Sequence, residues 1–279
     1  MFKDEFLFRD FNSPTELKTC GFDKYNEHQD YLLVNNILAI KYKSKEKIIP
    51  SNYVNEKLKE KINQIFKTEF RIVGKKEKII LKQEIIDALL PKAFDKTNYN
   101  DIVFDFNNHI MYFDSTSNKL NDEISGILIR ANEGLELNPE PITPTLPFGS
   151  TMRDRIINGW FDSDDNDTGL YTSNKCSIEF SYGDDIAQID FKNLDMYSDD
   201  VQVQIQKTER FVSKITFNLD DDIVFTVNDK ISFTAVKNNL VKNKFNPNEE
   251  TIQEFNNSNL IIVTSGLLQI VNSVLSTLE

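Results

Sequence analysis

Two periodicities alternate along the first half of the chain. Apolar residues recurring among charges from Phe2 to Phe11 predict an opening strand, turned by Asn12-Ser13-Pro14. Leu32 to Tyr42 reads as a strand with Asn35-Asn36 as a hairpin turn, and Lys41 to Lys47 as a basic loop. The period then changes to that of a helix. Ser51 is placed as N-cap, and Val54, Leu58, Ile62, Ile65 and Phe66 trace one buried stripe, with Lys57, Lys59 and Lys61 away from it. After a loop at Gly74-Lys75-Lys76, Leu81 to Leu90 forms a second amphipathic helix whose apolar face is Ile85, Ile86, Leu89 and Leu90; Lys82, Gln83 and Asp87 are wet. Pro91 ends it, which leaves Phe94 as a large apolar side chain just past the helix, either folded back onto Leu90 or offered to another chain. Residues 101–106 and 110–114 alternate across Asn107-Asn108 as a hairpin, and Leu120 to Ala131 is a third helix with Gly134 as its cap.

Pro139, Pro141, Pro144 and Pro147 then mark residues 139–149 as a linker between an N-terminal α+β region, 1–138, and an acidic β-rich region, 150–279. A short helix beginning near Ser150 leads to the lone Trp160, a core or interdomain anchor. Six short period-two runs follow, residues 177–182, 187–191, 201–206, 211–219, 223–227 and 231–236, joined by turn residues such as Gly183-Asp184-Asp185 and Asn228-Asp229-Lys230. They predict an antiparallel sheet. The tail reads as a strand, 259–264, and a helix, 267–278, so the fold class is α+β.

Composition refines this picture. With 39% hydrophobic and 27% charged residues the chain is globular, with no apolar run of membrane-span length and no signal-peptide start, which points to the cytoplasm. Cys20 and Cys176 are far apart and read as free thiols. The net charge of −12 argues against nucleic acid as a partner, but its distribution does not. Residues 41–92 carry fourteen Lys or Arg against seven acids, a local charge of +7. A basic working surface on an acidic molecule and a merely solvated helical face both fit this polarity.

Catalytic chemistry is hard to assemble. His28 and His109 are the only histidines, neither in a metal-binding setting, and no nucleophile elbow or Walker pattern occurs. Asp162, Asp164, Asp165 and Asp167 fail the EF-hand spacing and read as an acidic surface loop. Asp184, Asp185, Asp190, Asp220, Asp221 and Asp222 are the acids a two-metal nuclease would draw on, although hairpin tips explain them more simply. No metal or cofactor is expected. Lys192, Lys207, Arg210 and Lys214 form an isolated basic group in the acidic half, and Arg210 and Lys214, four apart in a strand, are expected to share a face. Solvated strand lysines are the plain alternative.

Three segments carry a resemblance. Lys45-Glu46-Lys47-Ile48-Ile49-Pro50-Ser51, Leu89-Leu90-Pro91-Lys92-Ala93-Phe94, and Leu260 through Leu267 (Leu-Ile-Ile-Val-Thr-Ser-Gly-Leu) resemble the bacterial RdgC family of recombination-associated DNA-binding proteins, in an order that runs over nearly the whole chain. The chain looks short for that family and rich in Asn, Lys and Ile, as a phage or AT-rich bacterial relative would be. The resemblance implies a homodimer closed into a ring that holds double-stranded DNA in a basic central hole, without strong sequence preference, and restrains a RecA-type recombinase on the nucleoid. It places one dimer contact at the tip of the first domain, at Leu90, Pro91 and Phe94, and the other in the opposite, C-terminal part of the structure. It places DNA contacts on Lys192-Asn193 and on Arg210, with Lys214 close by and Lys207 in the same basic group. No enzymatic step is implied. The alternatives are a metal-dependent nuclease and an acidic DNA mimic that engages basic proteins.

Overall fold

The computed structural model describes residues 3–27, 29–131, 139–183, 185–220, 222–241, 244–246 and 250–279. His28, Gly134, Asp184 and Asp221, named above, lie outside them, as does the expected boundary at residue 138.

Two antiparallel sheets organise the chain. The first contains β1 (Lys18–Asp23), β2 (Leu32–Val34), β3 (Ile37–Ile48), β4 (Phe94–Asp105) and β5 (Ile110–Phe113) in the order β1-β3-β4-β5, with β2 also on β3. The two expected hairpins are present. Asn35 and Asn36 take φ of 50° and 62°, the left-handed pair that a tight turn needs between β2 and β3. At the other turn Asp105 accepts from the backbone N–H of Asn107 and Asn108, and Asn107 Nδ2 donates to Asn35 O at 2.8 Å, which stitches the two turns together.

Helix α3 (Asn118–Ala131) covers one face of this sheet, packing Ile124, Ile127 and Leu128 on Phe22, Ile40, Tyr42 and Ile102. Under it Tyr42 Oη donates to Glu123 Oε1 at 2.8 Å, and Lys18 Nζ donates to both Glu123 oxygens at 2.7 Å. Burial works against the charged form of Glu123, but the Lys18 and Tyr42 hydrogen bonds outweigh it and hold the carboxyl below its usual range. The folded-state value therefore lies below that of the unfolded chain. The stabilisation is complete above the unfolded pKa of ~4.3 and is lost as the pH falls through the folded value. Glu123→Gln is expected to lower stability by about 1–3 kcal/mol at pH 7. In urea melts the gap to wild type should narrow in acid.

Four expectations are corrected here. Residues 3–11 make no strand, Phe2 lying outside the described residues: Asp4–Phe6 is a 3-10 turn, and Leu7 bridges Phe22 in isolation. The rings of Phe8 and Phe11 instead lie over Lys43, Lys45 and Lys47. Gly21 makes this crossing feasible, because a Cβ there would stand 2.6 Å from Leu7 C and Phe8 N. Backbone cannot give way as a side-chain tip can, so Gly21→Ala is expected to cost about 1–3 kcal/mol in a thermal or urea melt. Second, Lys41 to Lys47 is not a loop but the outer half of β3. Its alternate lysines share one face, where Asp101, Asp23, Asp10 and Asp95 neutralise them.

The second sheet has the order β10-β9-β8-β6-β7, built from β6 (Leu170–Tyr182), β7 (Asp185–Lys192), β8 (Arg210–Leu219), β9 (Ile223–Asn228) and β10 (Phe233–Asn238). Its inner face carries Cys176, Ile178, Phe191, Val212, Ile215, Phe217 and Phe225, packed with residues of α4 (Phe148–Ile157), α5 (Asp199–Ile205) and α6 (Ile252–Thr277). The third correction is α5, where a strand was expected over 201–206. The alternation of Val201, Val203 and Ile205 is misleading, since Val203 is exposed while Val201 and Ile205, four apart, are buried. Asp199 and Asp200 in the first turn suit the positive end of a helix.

The fourth is the tail. Residues 259–264 belong to α6, opened by a capping box in which Thr251 Oγ1 accepts from Glu254 N and the Glu254 carboxylate accepts from Thr251 N. The β-branched run Ile261-Ile262-Val263 favours a strand locally. Burial of Leu260 on the first sheet, and of Ile270, Val274 and Leu278 on the second, favours one continuous helix. Length and apolar composition alone, a mean hydropathy of 1.7, would let α6 cross a membrane. Leu260 packs on the first sheet and Ile270 and Val274 on the second. Trp160 begins a 3-10 turn after α4 and packs at the edge of the second core, under the Arg155 guanidinium at 4.3 Å.

Candidate nucleic-acid interface

Between β3 and β4 the chain runs out as a helical hairpin, α1 (Ser51–Glu69) and α2 (Lys75–Leu89). Ser51 is its first residue and Pro50 the cap, and Lys75-Lys76 open α2 rather than forming a loop. The expected buried stripe is shallow: only Val54 of α1 is fully buried, and Phe66 is exposed. The hairpin end is apolar and open, with Phe70 and Ile72 each 87% exposed and Ile79 and Ile80 also outside. A groove of about 250 Å³ lies between the helices, lined in part by Tyr53, Gln64, Ile85, Ala88 and Leu89. Sequence reasoning missed this surface, because helical periodicity does not say whether a stripe is covered by the same chain.

Leu90, Pro91 and Phe94 lie at the base of the hairpin. Leu90 is 5% exposed and starts a 3-10 turn through Lys92, so α2 ends where the proline requires. Phe94 opens β4 directly opposite Ile48 and is 85% exposed, so it is not folded back into the core. Around this region Lys59, Lys67, Lys75, Lys76, Lys78, Lys82 and Lys92 are exposed, with no ion pair among the described residues.

The basic group of the second half separates into parts. Lys192 ends β7, exposed, and Asn193 follows with φ of 58°, its N–H donating to Asn174 O at 2.7 Å. Lys214 is exposed on β8 beside Ser177 of β6, and Ser177 faces Asp190 of β7. Lys207 lies in the connection before β8 and donates to Gln204 Oε1 at 3.2 Å. Arg210 does not share a face with Lys214, which corrects the expectation. Val212 pairs with Ile178 but Lys214 pairs with the next residue, Ser177, so β8 holds one extra residue, a bulge at Ser213 that inverts the alternation. Arg210 falls on the side of Phe180, over whose ring it lies at 4.4 Å, and donates to Gln204 O and Oε1.

Lys214 and Lys192 thus flank β6 on the sheet's outer face, with Ser177, Thr216 and Thr226. Hydrogen bonds from Ser177 and Gln188, then the charges of Lys192 and Lys214, hold the Asp190 carboxyl below its usual range. Both lysines therefore reach the same patch. Such a face can bind phosphate by charge. Among the described residues no three His, Cys, Asp or Glu side chains come together to hold a metal.

The family model described as "Putative exonuclease, RdgC" matches residues 6–279. The chain belongs to the RdgC family. Proteins named "Recombination-associated protein RdgC" are among its relatives. That of Yersinia enterocolitica is 24% identical over 277 residues, covering 98% of this chain and 88% of the relative. That of Pseudomonas entomophila is 27% identical over 226 residues, 80% of this chain and 71% of the relative. That of Haemophilus influenzae is 24% identical over 207 residues, 74% and 66%. The RdgC resemblance noted on three short segments thus extends along the chain. The family description and the relatives' names point to different roles, one to a nuclease and the other to recombination.

Proposed function

We propose that this protein binds double-stranded DNA without sequence preference, as a homodimer that closes into a ring around the duplex. On the nucleoid, in the cytoplasm, it would limit access of a RecA-type recombinase. The carrying observation is the outer face of the second sheet, where Lys192 and Lys214 stand in an acidic half of the molecule without an ion-pair partner among the described residues. Their exposed ammonium groups suit phosphate contacts, which position a protein on DNA without reading sequence. Two exposed apolar spots, Phe94 with Ile48 at the base of the hairpin and Phe66, Phe70, Ile72, Ile79 and Ile80 at its end, support self-association, since large apolar side chains gathered on a surface mark interaction sites.

Retention on closed circular and linear duplexes at raised salt tests the ring. A closed ring should stay on the circle and slide off the line, whereas equal release from both contradicts encirclement. The nuclease reading rests on the family description. Shortening of end-labelled duplex with magnesium or manganese would replace the binding account with that one. The net charge of −12 leaves the mimic reading its own test, capture of a basic protein with no affinity for DNA at low salt.

A further inference from the structure

We propose that Lys175 is a further phosphate-binding residue, and that Lys175 and Lys192 grip one backbone phosphate of the duplex between them. The proposal rests on the DNA-binding reading above and deepens it. In the β6–β7 ladder Lys175 is directly opposite Lys192, so both side chains rise from the same face of the sheet. Both are exposed, and among the described residues neither has an ion pair. Like charges directly opposite in an antiparallel pair repel, so the arrangement is unfavourable until an anion enters. Asp190 nearby tempers this repulsion but forms no ion pair with either lysine among the described residues, and its Oδ1 is taken by Ser177 and Gln188, each at 2.7 Å. The contrast with β3 is sharp. There every exposed-face lysine from Lys41 to Lys47 has an aspartate within 4.0 Å.

The ladder is also distorted where these lysines stand. On β6 the pairing passes from Thr172↔Phe217 to Cys176↔Ile215, four residues against two, so the segment 173–175 bulges from its β8 partner. The second irregularity, at Ser213, turns Lys214 to the outer face; in regular alternation it would point into the core. Two departures from regular pairing thus accompany the lysines of one patch. A doubly basic cross-strand pair with a third lysine one strand over matches a ligand carrying regularly repeated anionic oxygens. A phosphodiester backbone has that chemistry.

The test compares wild type, Lys175→Gln, Lys192→Gln and the double variant on a fluorescent duplex of arbitrary sequence, titrated over a range of salt. Lys175→Gln is expected to reduce the slope of log affinity against log salt by about one unit. The double variant should lose less than the sum of the singles, since one phosphate is shared. Without DNA, Lys175→Gln should melt no lower than wild type, because it removes a repulsion. That opposite sign separates binding from a structural role. Lys237→Gln, an exposed lysine on β10, should leave the slope unchanged. If wild type binds with the usual salt dependence and Lys175→Gln keeps the wild-type slope, the proposal is overturned and the wider reading stands. If wild type binds no duplex, both fall.

Discussion

Phe94→Ser is expected to break one of the two dimer contacts and weaken self-association, seen in sedimentation as a shift toward the 32.3 kDa monomer at lower concentration than wild type needs, with circular dichroism and melting temperature unchanged. Phe94 is 85% exposed beside Ile48, also exposed, so its ring contributes little to the fold of one chain. In a two-fold interface the same ring is buried twice. At about 1.5–3 kcal/mol per buried Phe, loss of both copies weakens association on the order of 10²- to 10⁴-fold. A conservative partner, Phe94→Leu, should recover much of it. Unfolding of Phe94→Ser would instead make the ring part of the core, against the geometry.

The second large effect concerns DNA. Lys192→Ala combined with Lys214→Ala should reduce the slope of log affinity against log salt by about two units, one for each lost phosphate contact. The reduction should be alike on duplexes of unrelated sequence, because phosphate contacts carry no base information. Arg210 is a poorer probe than its sequence position implies. Its guanidinium is already bonded to Gln204 and stacked on Phe180, so its removal also disturbs the junction of α5 and β8.

Much of the fold was legible because local signals and packing agreed. The Asn35-Asn36 turn, the hairpin across Asn107-Asn108, the stop at Pro91 and the strands 211–219 and 223–227 all follow from residues acting where they stand. The errors arose where the two disagreed. Val201, Val203 and Ile205 fit a strand as well as a helix, and only the burial of the first and third against α4 and the sheet decides it. Ile261-Ile262-Val263 prefers an extended chain, but a helix lets α6 reach both cores. The lysines of β3 resembled a loop because their neutralising aspartates come from residues 10, 23, 95 and 101, distant in sequence.

The candidate site was legible in part. Lys192 and Lys214 could be named from the basic group and the family resemblance. Lys175 could not, since nothing in its own neighbourhood shows that it faces Lys192 seventeen positions later. The expected pairing of Arg210 with Lys214 failed for a definable reason: one extra residue at Ser213 reverses the face, and a bulge leaves no dependable mark in composition. The open end of α1 and α2 was hidden for the opposite reason. Ile62, Ile65 and Phe66 have core periodicity, and it takes the three-dimensional arrangement to reveal that no element among the described residues buries Phe66.

The most direct measurement is the affinity of the wild-type protein for two duplexes of equal length and unrelated sequence, followed by fluorescence anisotropy as salt is raised, with DNA length checked at the end. The account predicts equal affinities that fall along the same steep line in log salt, on DNA that stays intact. A flat salt dependence, a strong preference for one sequence or no binding at low salt would contradict it.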